Sequence, residues 1–100
     1  AYYTFSKKIA DIYKRHGALS VYECWGNDIP EGKVNSMHSA ALRKSDETVV
    51  FSWVTWPDKA ARDKVHKNIV EAMHVEMEND PIPFDASRMI YGGFDVILVK

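Results

Sequence analysis

Residues 47–56 read "ETVVFSWVTW", and this stretch decides the fold. Val49, Phe51 and Trp53 point one way; Val50, Val54 and Trp56 point the other. Period-two alternation rich in β-branched and aromatic residues predicts a strand. Both of its faces are apolar, whereas an antiparallel sheet normally keeps one face wet. The stretch therefore predicts a strand that is covered on both sides.

Downstream, Pro57-Asp58 ends the strand, and Asp58 is a good helix N-cap. Ala61, Val65, Ile69, Ala72 and Met73 form an apolar helical stripe, with Lys59, Lys64, Lys67 and Glu71 outside it. Asn79-Asp80-Pro81 is the expected stop, and "IPFDASR" (82–88) reads as a loop. Residues 89–99 predict a last strand, with Phe94, Val96 and Leu98 opposing Ile97 and Val99. Gly92-Gly93 interrupts it. A phosphate-cradling glycine loop needs a helix directly after it, and here a strand follows. A β-bulge or a close backbone approach is the expected reason for these glycines.

Upstream, "KSDE" (44–47) makes a turn, residues 35–43 read as a weak strand, and "NDIPEGK" (27–33) is a loop. "ALSVYECWG" (18–26) predicts a strand with Leu19, Val21, Glu23 and Trp25 on one face and Ser20, Tyr22 and Cys24 on the other. Residues 1–16 carry Phe5, Ile9, Ile12, Tyr13 and His16 at helical spacing, and Gly17 follows as the stop.

The order is helix, strand, strand, helix, strand. This is the order of a ferredoxin-like β-α-β-β-α-β unit after its first strand. The predicted fold is α+β, a ferredoxin-like sandwich of an antiparallel sheet with two helices on one face, its N-terminal strand missing from the chain. Two helices cover only one sheet face. The other is expected to meet the sheet of a second copy, making a homodimer through sheet faces.

Composition agrees with a globular chain. The 100 residues, 46% hydrophobic and 27% charged, predict a single domain over 1–100. Thirteen Lys+Arg against fourteen Asp+Glu argue against nucleic-acid binding, which needs a basic face. No apolar stretch is long enough to span a bilayer. Cys24 is the sole cysteine, so no internal disulfide forms and a cytoplasmic location is expected.

"HGALSVYECWGNDIPEGK", "ETVVFSWVTWPDKAARD" and "PFDASRMIYGGFD" together resemble the YbaA-like family, an uncharacterised bacterial family of the dimeric α/β-barrel superfamily. The resemblance covers nearly the whole chain. It implies a ferredoxin-like protomer whose sheets pair into a barrel. The family opens with a strand that this chain does not show. It also favours Phe-x-Arg near positions 37–39, where Met37-His38-Ser39 stand here, so no anion-binding arginine is transferred to those positions. The resemblance brings no catalytic residues with it.

Few residues point to chemistry. Glu23 on an apolar strand face would act as a general base if buried; a sheet-edge carboxylate paired with a lysine or arginine is the favoured alternative. His38, between the strands, and Tyr91, beside the glycines, complete the acid–base candidates. Trp25, Trp53 and Arg88 are the ligand-binding candidates, two apolar walls and one anion clamp; core packing and a pair with Asp85 are their structural alternatives. Glu71 and His74 form a single Glu-x-x-His pair, whereas di-metal bundles use two. No metal and no cofactor is expected.

The expected function is a dimer that binds a small apolar or aromatic molecule between sheet and helices. One alternative is an enzyme resembling cofactor-independent monooxygenases. The other is a structural module without a ligand.

Overall fold

A computed structural model describes residues 1–100. Helix α1 spans Tyr2–Arg15 and buries Ile12 and Ser6. Lys14 and Arg15 occupy its last turn, where positive charge suits the helix dipole. His16 follows, its Nδ1 donating to the Ile12 carbonyl at 2.7 Å, and Gly17 then turns the chain at φ 104°.

Strand β1 (Ser20–Trp25) pairs antiparallel with β2 (Val50–Thr55). Tyr22 faces Trp53, and Glu23 faces Ser52. Helix α3 runs Lys59–Glu76, and the Asp58 side chain caps it by accepting from the Ala61 N–H at 2.8 Å. It ends at Met77, before the Asn79-Asp80-Pro81 stop. A single 3-10 turn, Ala86–Arg88, lies in the expected loop, capped by Asp85. No helix is long and apolar enough to cross a membrane.

Two expectations are corrected. Residues 35–43 are not a strand: Met37–Ala40 form a short helix, α2. Hydroxyls decide this locally. Ser36 Oγ accepts from the Ser39 N–H at 3.0 Å, and Ser39 Oγ accepts from the Ser36 N–H at 2.9 Å. This reciprocal cap satisfies donors that a helix start leaves open. Residues 89–100 form no strand either. A strand is held by the neighbour it bonds to, and this segment runs beside none. Phe94 and Ile97 stay 92% and 94% exposed.

The sheet therefore has two strands, and its faces differ. α1 packs on the side of Val21, Glu23 and Trp25, where the Tyr2 ring meets Trp25 at 5.9 Å. α3 packs on α1 and makes no close backbone approach to either strand. The small core, Ile12, Ile69 and Met77, lies between these helices. The opposite sheet face is open. There Tyr22 and Trp53 stack at 4.5 Å and 19°, with Phe51 beside Trp53 at 5.5 Å. The radius of gyration is 15.1 Å, against about 13 Å for a compact domain of this length.

Candidate functional site

The site begins where β1 leaves the sheet. The Gly26 N–H bonds the Val49 carbonyl at 2.9 Å, and a side chain at Gly26 would sit 2.6 Å from that oxygen and 2.7 Å from Ile29 Cδ1. Only glycine lets the loop fold back this closely. The chain then passes through α2 and turns sharply. Arg43 N–H bonds the His38 carbonyl at 2.9 Å, and Leu42 N–H bonds the Ser39 carbonyl at 3.1 Å. This is the Schellman ending of a helix, with Leu42 in the left-handed position at φ 52°. A Cβ is strained there, and such strain gathers at functional sites.

The result is a cavity of about 260 Å³ lined by Gly26, Asn27, Ile29, His38, Arg43, Glu47, Thr48 and Val49. Only Ile29 and Val49 are hydrophobic. His38 Nδ1 lies 2.6 Å from Glu31 Oε1. A carboxylate accepts, so Nδ1 carries the proton and donates. That hydrogen bond holds the Glu31 carboxyl below its usual range, and the positive charge of Arg43 adds to the effect. Nε2 is then the ring nitrogen left to a visitor, since it bonds nothing in the chain.

Glu47 closes the far wall. Arg88 donates to both of its oxygens at 2.7 Å, and the Lys44 N–H adds a third bond at 2.8 Å. These bonds, the guanidinium first, pull the Glu47 carboxyl down to about 2. Arg88 also donates through Nε to Asp85 at 3.0 Å and through Nη1 to the Leu42 carbonyl at 2.8 Å. Its guanidinium is committed to the chain, as a clamp between the 42–47 turn and the loop at 85–88.

The other expected residues are scattered. Trp25 and Trp53 lie on opposite faces of the sheet, one against Tyr2 and the other on Tyr22. Glu23 accepts from the Tyr2 hydroxyl at 2.9 Å, and burial is the main cause that raises the Tyr2 phenol. Tyr91 is 90% exposed. At the glycine pair there is no bulge, because there is no strand. Gly93 instead lies against Arg62, where a side chain would come within 2.6 Å of Nη1. A second cavity, about 230 Å³, is lined by Lys8, Asp11, Ile12, Glu76 and Met77, but Lys8 and Glu76 are already paired with Asp80 and Arg15.

Sequence reasoning missed Arg43 and left Glu31 within the 27–33 loop. Ser36-x-x-Ser39 was the available signal, since a capped helix start would have placed His38 and Arg43 together.

Residues 1–86 match the model of a family described as a protein of unknown function, DUF1428. The chain belongs to that family. Similar relatives are the uncharacterized protein YbaA of Escherichia coli K12, that of Escherichia coli O157:H7 and that of Shigella flexneri. Each is 39% identical over 98 residues, covering 98% of this chain and 84% of the relative. The DUF1428 match takes in every residue that lines the His38 cavity.

Proposed function

We propose that this protein is a homodimer that binds a small molecule in the cavity beside His38. The observation that carries the binding reading is the imidazole fixed by Glu31 at 2.6 Å, in a cavity whose lining is mainly polar. Orienting an imidazole through its second nitrogen is how sites set the tautomer they present to a ligand. At about 260 Å³ the space suits a ligand smaller than the usual drug-sized pocket of roughly 300–1,000 Å³. Its polar walls favour a polar ligand over the apolar or aromatic one that the sequence suggested.

The dimer reading rests on the open face. Tyr22, Phe51 and Trp53 form one contiguous aromatic patch, and soluble monomers seldom leave such patches bare. A second copy laid face to face would cover it, giving the barrel of paired ferredoxin-like sheets. The sole cysteine, Cys24, fits a reducing, cytoplasmic setting.

A catalytic reading has one observation in its favour. The His38–Glu31 pair leaves Nε2 as a base, and general bases are commonly oriented by a carboxylate in this way. Glu23 and Tyr91, outside the cavity, would serve such a reaction only through the partner subunit.

Native mass spectrometry of the purified protein tests these readings together. A dimer carrying a small adduct that His38→Ala fails to retain is expected. A monomer would overturn the assembly. Adduct retained equally by His38→Ala would overturn the site. Adduct mass that changes with time in the protein but not in His38→Gln would mark turnover.

A further inference from the structure

We infer that the ligand of the His38 cavity is a small neutral molecule with several hydroxyl groups, a polyol or a monosaccharide; this rests on the reading of that cavity as a binding site. Three polar groups of its lining are free. His38 donates through Nδ1 to Glu31, which leaves Nε2 as an acceptor. Arg43 Nε is the one partnerless atom closed off from solvent among side chains that are not themselves exposed. His38 Nε2, which also bonds nothing in the chain, is therefore within reach of solvent. The other two groups are the Asn27 amide and the Thr48 hydroxyl. Both residues line the cavity and are exposed, and neither side chain makes a hydrogen bond within the chain.

A hydroxyl suits all three, because it both donates and accepts. It donates to Nε2, which only accepts, and takes either role with the Asn27 amide or the Thr48 hydroxyl. The oxygens of an ionised carboxylate only accept and would leave Nε2 unmet. Ile29 and Val49, the two apolar side chains of the lining, offer a surface to the C–H side of such a molecule. Charge points the same way. Glu31 feels Arg43, Glu47 feels Arg88 and Lys44, and Arg88 feels Asp85 as well as Glu47. With His38 neutral, Arg43, Lys44 and Arg88 balance Glu31, Glu47 and Asp85, so no net charge is left for the ligand to meet. The charged groups of the wall are also engaged. Arg88 and the Lys44 N–H hold the Glu47 oxygens. Arg43 braces the turn, its Nη1 donating to the carbonyls of Lys44 at 3.2 Å, Ser45 at 3.3 Å and Glu47 at 2.9 Å.

The test is a titration followed by NMR at about pH 8, where an ordinary imidazole is neutral. The His38 ring protons and the backbone amides of Gly26, Asn27 and Thr48 are read. Glycerol, xylitol and glucose are added in parallel with acetate, inorganic phosphate and acetamide, at constant ionic strength. Saturable shifts with at least one of the polyhydroxyl probes, and none with the acids or acetamide, are expected. Asn27→Ala and Thr48→Val each remove one hydrogen-bonding group from an exposed position, so affinity should fall about two- to tenfold in each. Because the shifts are read first in the unaltered protein, the outcome stands even if a variant folds poorly. Saturation by acetate or phosphate in place of the polyhydroxyl probes would leave a binding cavity and overturn the neutral assignment. Equal saturation by acetamide would leave the cavity and overturn the hydroxyl assignment. Shifts that grow linearly with every probe, or none at all, would overturn the inference and the binding reading together. Undiminished affinity in both folded variants would remove Asn27 and Thr48 from the site, and the hydroxyl assignment with them.

Discussion

Arg88 holds both carboxylate oxygens of Glu47 at 2.7 Å, across 41 positions of sequence. This pair ties the wall of the His38 cavity to the loop at 85–88. It also predicts a pH dependence. The folded Glu47 carboxyl is lowered to about 2 from an ordinary 4.5. A depressed carboxyl stabilises the fold above its unfolded value, and that stabilisation is lost as pH falls through the folded value. Between pH 4.5 and 2 the protein should lose stability, and Glu47→Gln should lose less over the same window. Urea melts of both proteins at about pH 5, 3.5 and 2.5 check this. Parallel pH profiles would show that the pair contributes nothing through Glu47.

Ile12 is the one large side chain that α1 buries fully, at 1% exposure against Ile69 and Met77. With so few buried residues, little surrounding structure is available to fill a void. Ile12→Ala should cost about 2–5 kcal/mol, and Ile12→Val about 0.5–1.5 kcal/mol. Chemical denaturation gives both values. A loss under about 0.5 kcal/mol for the alanine variant would mean that the α1–α3 contact is not the core.

The two strands and two long helices were legible because each repeats a period over enough residues to be seen. Ile12 and Ile69 sit where the apolar stripes placed them. α2 was not legible. Its four residues are too short for a period, and its ends are fixed by Ser36, Ser39 and a left-handed Leu42 where glycine would have announced the turn. That gap hid the site. His38 could be noticed as a histidine, but Glu31 and Arg43 become its neighbours only through that local geometry. The segment 89–99 failed for another reason. Alternating Phe94, Val96 and Leu98 record a preference for being paired, and a preference does not supply the neighbour.

Trp53 and Tyr22 stack on the uncovered sheet face while 42% and 48% exposed. If a second copy covers this patch, Trp53 sits at the centre of the contact. Trp53→Asp should then convert the dimer to a monomer in light scattering during gel filtration. A central aromatic commonly contributes about 2 kcal/mol or more, roughly 30-fold in Kd. Trp25→Asp, on the face that α1 occupies, should lower stability before it lowers assembly. A dimer that tolerates Trp53→Asp would place the subunit contact elsewhere.

Leu42 gives the sharpest test of the turn that carries Arg43. Its side chain is 67% exposed, so little packing is lost when it is removed. Its φ of 52° costs an ordinary residue about 1–2 kcal/mol and glycine almost nothing. Glycine gives back part of that gain through the greater freedom of its unfolded chain, about 0.5–1 kcal/mol. Leu42→Gly should therefore be neutral or stabilising by up to about 1 kcal/mol, against the usual direction for a truncation. Leu42→Ala keeps the strained Cβ and should show no such gain. Thermal melts of the two variants decide it. If glycine destabilises by more than about 1 kcal/mol, the left-handed turn is not the conformation that holds Arg43 beside His38.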